Sequence, residues 1–259
     1  MPGNATLAAT PLPGLPEVRP GDDLAVMIAE ALSREANALG ELRDNDLLVV
    51  AHKVISKAEG RIRHLAEIEP GERARLLSVQ HDKDPRHVQA VLDESVEVLR
   101  AARGTLVCVT RHGFVCANAG VDRSNVAEPE SVVLLPRDPD RSARALRLRL
   151  RELTGACAAV VITDSFGRAW RHGQSEVAIG CAGLAPLEDW RGRPDSGGRQ
   201  LRATWIAIAD EAAAAADLVR RKDSREPVVL VRGLERHVAA DDGPGAAALV
   251  RPEQDDLFR

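Results

Sequence analysis

The sequence contains almost no aromatic residues. In 259 residues there are three tryptophans, three phenylalanines and no tyrosine. Proteins that bind single-stranded nucleic acid stack bases on aromatic side chains, and this chain offers few of them. Its formal charge is −4 and its isoelectric point is about 6.0, whereas nucleic-acid-binding domains present a basic face. The composition argues against nucleic-acid binding, so we expect recognition to depend on hydrogen bonds and charge.

Cysteine is also scarce and never occurs in a C-x-x-C pair. The four cysteines are Cys108, Cys116, Cys157 and Cys181, and three of them lie in apolar, strand-like runs. We interpret them as small core residues and not as zinc ligands or disulfide partners, which predicts a reducing compartment. No apolar run approaches the roughly 20 residues that span a bilayer, and the N-terminus has no basic segment. We therefore expect a soluble, cytoplasmic protein without a membrane partner.

The composition is that of a globular protein. Hydrophobic residues make up 44% of the chain and charged residues 29%. A chain of this length can form one large domain or two small ones. Residues 1–12 are rich in Ala, Pro and Gly and predict a flexible N-terminus, and no repeat or linker divides residues 13–259.

The most informative stretch comprises residues 160–174. Residues 160–163 are all β-branched and predict a buried strand, after which come Asp164, Ser165 and Arg168. Polar groups at the C-terminal end of a strand are typical of active sites in α/β sheets. A carboxylate beside a hydroxyl suits a hard cation such as Mg²⁺ or Mn²⁺, and a guanidinium suits phosphate or carboxylate. The alternative is that Asp164 only caps the following turn and Arg168 is solvated.

A second buried strand leads into a cluster of cations. Residues 47–51 are apolar, and His52, Lys53, Ser56 and Lys57 follow. The two lysines are four residues apart, so a helix would place them on one face. They could hold a triphosphate, although the Walker A pattern is missing. The alternative is that both lysines are solvated.

Two further segments carry candidate ligand groups. Residues 118–126 form a small, polar segment that places Asp122 and Asn125 on a loop, either as a turn or as a ligand cradle. In residues 14–18, Pro16 stiffens an extended segment whose backbone could contact a ligand or add an edge strand.

The remaining elements follow from hydrophobic spacing. Asp22 is the expected N-cap of a helix that Gly40 stops. Residues 180–198 are expected to form a long, flexible loop that acts either as a lid or as a dimer arm. Further helices are predicted over 72–77, 85–103, 141–153 and 201–221, with a hairpin of 106–110 and 114–117 and strands at 132–135 and 228–231.

Five ordered motifs resemble those of the coenzyme F420:L-glutamate ligase family. They are GLPE at 14–17, KVISKAEG at 53–60, AGVDRSN at 119–125, ITDSFGRAWR at 162–171 and ADE at 209–211. The resemblance implies one ligase domain over residues 13–259, similar to the N-terminal half of bifunctional mycobacterial proteins but without their flavin reductase domain. It implies an α+β fold of mixed sheets and helices in two interlocked lobes, in a homodimer.

The resemblance also implies an activity. Proteins of this family add L-glutamate to the phospholactyl carboxylate of a deazaflavin coenzyme precursor, with GTP as co-substrate. Two divalent ions, Mg²⁺ or Mn²⁺, are expected, and K⁺ as a further cation. An acyl phosphate made from GTP would activate the carboxylate, so no nucleophilic side chain is required. Two alternatives stay open: a related amide ligase or phosphoryl-transfer enzyme acting on another acid, and a nucleotide-binding homologue without turnover.

The resemblance also implies roles for individual residues, at the positions that match the motifs of the family. Asp164, Arg168 and Lys57 would be catalytic, and Asp122 and Asp164 would share one metal ion. Ser165, where the family usually has threonine, would bind a second ion with Asp217, preferred over Glu211. The GTP-binding residues would be Leu15, Pro16, Glu17, Val18, His52, Lys57 and Asn125.

This sequence departs from the family pattern at two places. His52 stands where a serine or threonine usually contacts the nucleotide, and a neutral imidazole could still donate one hydrogen bond. The glycine expected after the long helix corresponds to Arg221 or Lys222, which puts the phosphate contacts of that segment in question.

Overall fold

The computed structural model describes residues 6–123 and 130–258. The helices are α1 Leu24–Arg34, α2 Ala36–Leu39, α3 His52–Ala58, α4 Glu72–His81, α5 Pro85–Asp93, α6 Pro139–Thr154 and α7 Ile208–Val219. The strands are β1 Ala8–Pro11, β2 Leu47–Ala51, β3 Ile62–His64, β4 Ser95–Ala102, β5 Thr105–Thr110, β6 Val115–Ala117, β7 Ser131–Val133, β8 Ala159–Arg168, β9 Arg171–Ala182, β10 Glu188–Asp189, β11 Trp205–Ile206 and β12 Val228–Arg232.

The largest sheet has five strands in the order β1-β12-β2-β8-β9. Strands β2 and β8 are parallel, and the other neighbours are antiparallel. Because side chains alternate along a strand, the apolar runs of β2 and β8 supply both faces of the sheet. Leu48 and Val160 pack with α1 and α6 on one face, while Val49 and Val161 pack with α7 on the other.

A second group of elements forms its own buried cluster. Strands β4, β5 and β6 make an antiparallel sheet, and β3 pairs with β7. Their apolar side chains, including Leu106 and Val132, pack with Val88 and Val91 of α5. The fold is therefore a mixed α+β structure with several sheets, as the resemblance implied. Its division into two interlocked lobes remains a prediction.

Several elements expected from the sequence are confirmed. The strands at 47–51, 160–163 and 228–231, the hairpin of β5 and β6, and the helix over 141–153 are all present. All four cysteines are free, and Cys108, Cys116 and Cys181 are buried, as core residues should be. None of the helices in the described ranges combines the length and the hydrophobicity needed to cross a bilayer.

The N-terminal segment differs from the expectation of flexibility up to residue 12. Ala8–Pro11 forms the edge strand β1 and pairs antiparallel with β12, so residues 14–18 do not supply that edge strand. Leu12 is completely buried and packs in the core beside α1. The Pro-rich composition suggested flexibility, but proline is compatible with an edge strand. One side of an edge strand has no neighbouring strand, so the missing amide of Pro11 costs no hydrogen bond there. The first helix is capped by Asp23, not Asp22, through a 3.1 Å hydrogen bond from the Val26 amide.

Two of the predicted helices were too long. The helix expected over 85–103 ends at Asp93, and residues 95–102 form β4, where Val96 is 71% exposed. Arg103 and Gly104, both at positive φ, form the two-residue turn that joins β4 to β5. The helix expected over 201–221 begins at Ile208, because Trp205–Ile206 pairs with Glu188–Asp189.

Candidate functional site

The C-terminal ends of β2 and β8 bring two motifs together. Ala51 pairs in parallel register with Thr163, so the residues that follow them, His52 and Asp164, become neighbours. The His52 Nε2 atom lies 3.3 Å from Asp164 Oδ1, and the His52 side chain is only 2% exposed. The His52 Nδ1 atom lies 3.3 Å from the Ser56 hydroxyl, one helical turn along α3. His52 is thus packed beneath Asp164 and leaves almost no surface for a nucleotide.

Asp164 is the more accessible member of this pair. Its side chain is 15% exposed, and its Oδ1 atom accepts a 2.8 Å hydrogen bond from the Ser165 amide. The contact from His52 is not a hydrogen bond, because the buried Nε2 atom has no hydrogen-bond partner in the described part of the chain. Burial and the negative charge of Asp164 together raise the pKa of the Cys116 thiol to about 12. Cys116 therefore stays protonated and is no nucleophile.

Asp122 reaches the same helix from a different part of the fold. Its backbone pairs with Val133, with hydrogen bonds of 3.0 and 2.8 Å, which places it beside β7. The Lys53 ammonium lies 2.6 Å from the Asp122 carboxylate. Since His52 and Lys53 are consecutive residues of α3, the start of this helix contacts both acids expected to share a metal ion.

Lys57, one turn after Lys53, contacts the N-terminal motif. Its side chain is only 9% exposed, and its ammonium binds the carboxylate of Glu17, which is 58% exposed. Leu15 and Val18 anchor this motif in the core, whereas Pro16 and Glu17 border an open cleft of about 530 Å³. The buried lysine that was expected at the phosphates therefore lies beside the segment that was expected to line the guanine nucleotide.

Ser165 faces away from Asp164, because neighbouring side chains on a strand alternate. It lies opposite Glu176 of β9, and its hydroxyl donates a hydrogen bond to the Glu176 carboxylate. Glu176 is 4% exposed and forms an ion pair of 2.8 Å with Arg220, which is 8% exposed. Burial acts to raise the pKa of Glu176, but Arg220, two hydroxyl hydrogen bonds and Lys222 outweigh it and leave the pKa below its usual value.

The Lys222 ammonium completes this second cluster. It lies 2.8 Å from the Ser165 hydroxyl oxygen, 3.2 Å from Glu176 Oε1 and 3.3 Å from Asp217 Oδ1. Asp217, near the end of α7, was the sequence choice for an acid of the second metal site. The structure does bring Asp217 to Ser165, and it adds a lysine between them.

Two expected site residues are not joined to these clusters. Arg168 lies four residues beyond Asp164 in β8, about 13 Å along the strand at ~3.3 Å per residue. Its guanidinium donates a 2.7 Å hydrogen bond to the His172 carbonyl at the exposed end of the hairpin. A catalytic role for Arg168 therefore stays a prediction without support from this geometry. Asn125 lies outside the described residues.

Comparison with known proteins decides the family. A family model described as F420-0:gamma-glutamyl ligase matches residues 14–233. The chain belongs to this family. The coenzyme F420:L-glutamate ligase of Methanopyrus kandleri is 46% identical in an alignment of 261 positions that covers 100% of each chain. The proteins of the same name from Methanothermobacter thermautotrophicus and Archaeoglobus fulgidus are each 44% identical and cover 95% and 96% of this chain, and 96% and 95% of their own length.

This member of the F420-0:gamma-glutamyl ligase family has two expected metal sites. The side chains present suit a metal ion at Asp122 and Asp164 better than one at Ser165 and Asp217. Asp122 and Asp164 offer the hard carboxylate oxygens that Mg²⁺ and Mn²⁺ prefer. Among the residues that the structure describes, no group of three or more His, Cys, Asp or Glu is arranged to hold a metal ion. An ion at Asp122 and Asp164 would therefore need further oxygens from phosphate or water. At Ser165 and Asp217 the Lys222 ammonium already contacts the oxygens, so a second ion does not fit there.

Sequence reasoning missed Glu176 and Arg220. The sequence contains only weak indications of a role for either residue. Glu176 is a lone acid next to the apolar run of β9, and Arg220 follows the last turn of α7. Neither residue lies in the five motifs, and only the folded chain shows that they form a buried ion pair under Ser165.

Proposed function

We propose that the protein joins L-glutamate to the phospholactyl carboxylate of a coenzyme F420 precursor, using GTP and a divalent metal ion. The observation that carries this proposal is the set of contacts made by α3. His52 contacts Asp164, Lys53 contacts Asp122 and Lys57 contacts Glu17. One short helix thus connects four of the five family motifs, in a chain that is 46% identical to a coenzyme F420:L-glutamate ligase over its whole length.

The reaction needs two steps. A carboxylate oxygen of the precursor attacks the γ-phosphorus of GTP, the bond to the β-phosphate oxygen breaks, and GDP leaves. The amino group of glutamate then attacks the acyl carbon of the resulting acyl phosphate, loses a proton and displaces inorganic phosphate. Both steps depend on positioning and charge neutralisation, and they need no covalent intermediate on the protein.

The described side chains suit these tasks. Lys57 is a buried cation beside the exposed Glu17, and it can exchange this carboxylate for a phosphate oxygen when the nucleotide enters. Asp122 and Asp164 would hold the metal ion, which neutralises phosphate charge when it is bound. His52 packs against Asp164, and the Cys116 thiol near that carboxylate stays protonated, so it does not compete as a nucleophile. The cleft beside Pro16 and Glu17 gives the nucleotide base an open approach.

Product mass tests this proposal directly. The purified protein is incubated with the coenzyme precursor that lacks glutamate, with L-glutamate, GTP and Mn²⁺, and the products are separated and weighed by mass spectrometry. We expect a product heavier by one or more glutamyl residues, with equal release of GDP, and no product when GTP or metal is omitted. Release of GDP only with a different carboxylic acid would instead identify a related ligase. Nucleotide binding without GDP release from any acid would identify a homologue without turnover.

A further inference from the structure

Lys222 is held by oxygens from three different elements. Ser165 belongs to β8, Glu176 to β9 and Asp217 to α7, and their oxygens lie 2.8, 3.2 and 3.3 Å from the Lys222 ammonium. The Asp217 Oδ1 atom is buried and accepts no hydrogen bond in the described part of the chain, and the Lys222 ammonium forms an ion pair with it. The Lys222 side chain as a whole is 68% exposed. The chain therefore folds a cation into a cluster of hard oxygen atoms.

Charge balance shows that this cation is needed. Glu176 and Asp217 carry two negative charges, and Arg220 supplies one positive charge through its contact with Glu176 Oε2. Lys222 contacts the other oxygen, Glu176 Oε1, and makes the cluster neutral. Without Lys222 the cluster would keep one net negative charge on buried oxygens, which favours the binding of a metal ion.

We propose that the Lys222 ammonium takes the place of the second metal ion expected at Ser165 and Asp217, so that this protein binds one divalent ion where two were expected. This inference rests on the proposed metal dependence of the reaction. A lysine ammonium and a divalent ion cannot share the same three oxygens, because both occupy the space between them and repel each other. The lysine supplies a single positive charge, and the 68% exposure of its side chain lets it contact a phosphate oxygen of the substrate.

Counting bound metal ions tests this inference without any measurement of activity. Wild type and variants are dialysed to equilibrium against Mn²⁺ and GDP, and the excess Mn²⁺ per chain is determined. The key variant is Lys222→Gln, which removes the charge and supplies a hard carbonyl oxygen. Arg221→Gln is the matched control, since Arg221 lies in the same segment, is 79% exposed and pairs with the exposed Asp223. Thermal melting verifies that each variant is folded.

We expect one Mn²⁺ in wild type and in Arg221→Gln, and two in Lys222→Gln. Adding Ser165→Ala to Lys222→Gln should return the count to one, which would locate the second ion. Two ions in wild type, or no additional ion in Lys222→Gln, would overturn the inference. If wild type bound no Mn²⁺ and Lys222→Gln bound one, the inference would stand and the metal site proposed at Asp122 and Asp164 would fail.

Discussion

Replacing Glu176 by glutamine should destabilise the folded protein strongly. The substitution keeps the shape of the side chain and one oxygen that can accept hydrogen bonds, but it removes the negative charge. Arg220, only 8% exposed and 2.8 Å from Glu176 in the native protein, would then be a buried cation without its counter-ion. Lys222 would lose one of its partners as well, although its 68% exposure keeps that loss small.

The magnitude follows from the burial of the pair. Removing one partner of a buried ion pair costs about 3–5 kcal/mol. The glutamine carbonyl still accepts one hydrogen bond, so we expect the lower end, about 3 kcal/mol. For a chain of this size each kcal/mol lowers the melting temperature by roughly 2–4 °C, so the variant should melt about 6–12 °C below wild type.

The lowered pKa of Glu176 makes its contribution to stability depend on pH. Because this pKa lies below its ordinary value of 4.5 in the folded protein, the ionised carboxylate stabilises the fold fully above the unfolded pKa. The stabilisation is lost as the pH falls through the lower, folded pKa. The difference between wild type and Glu176→Gln should therefore stay constant near neutral pH and narrow in acid, below about pH 4.5.

Urea denaturation and thermal melting of the two proteins measure this difference. Glu30→Gln is the matched control, because Glu30 is 66% exposed and lies 4.0 Å from Arg34 in an ordinary helix pair. It should cost about 0.5 kcal/mol or less. A loss below about 1 kcal/mol for Glu176→Gln would refute the reasoning, because the pair would then behave like a surface contact.

Four further substitutions test the candidate site. Asp164→Asn should lower the rate of glutamate addition at least ~10²-fold, because a hard-cation site loses an anionic oxygen. The circular dichroism spectrum should stay that of wild type. Full activity of this variant would show that Asp164 is not a metal ligand. Lys57→Ala should raise the dissociation constant of GDP about 10-fold or more in calorimetric titration, as expected for the loss of a charged hydrogen bond, and Lys53→Ala should have a smaller effect. Equal GDP affinity in Lys57→Ala and wild type would contradict the phosphate role. Mn²⁺ with GDP at about 100 times the dissociation constant should stabilise wild type by about 2.7 kcal/mol in thermal melting. The same ligands should stabilise Asp122→Asn much less. Equal stabilisation of both proteins would show that Asp122 does not bind the metal ion.

Local sequence patterns were sufficient for the central strands and for the polar residues at their C-terminal ends. The apolar runs of β2 and β8 can only be buried strands, and the residues that follow them, His52 and Asp164, change abruptly to polar. The same reasoning failed at residues 95–102, where Val96 and Leu99 fit the spacing of a helix, while Val96 and Val98 have the two-residue spacing of a strand. There the pairing with β5 decides, because it gives one side of the segment backbone hydrogen-bond partners, with irregularities in the register at Val96 and Leu99.

What the sequence by itself determined is which side chains are present at the ends of buried strands and which family the motifs resemble. What only the tertiary structure decided is which of those side chains meet. The parallel pairing of β2 with β8 sets His52 beneath Asp164, and the folding of α7 against β9 brings Lys222 to Ser165, 57 residues away in the chain. Contacts between distant residues depend on strand register and helix packing, which no local pattern of residues encodes.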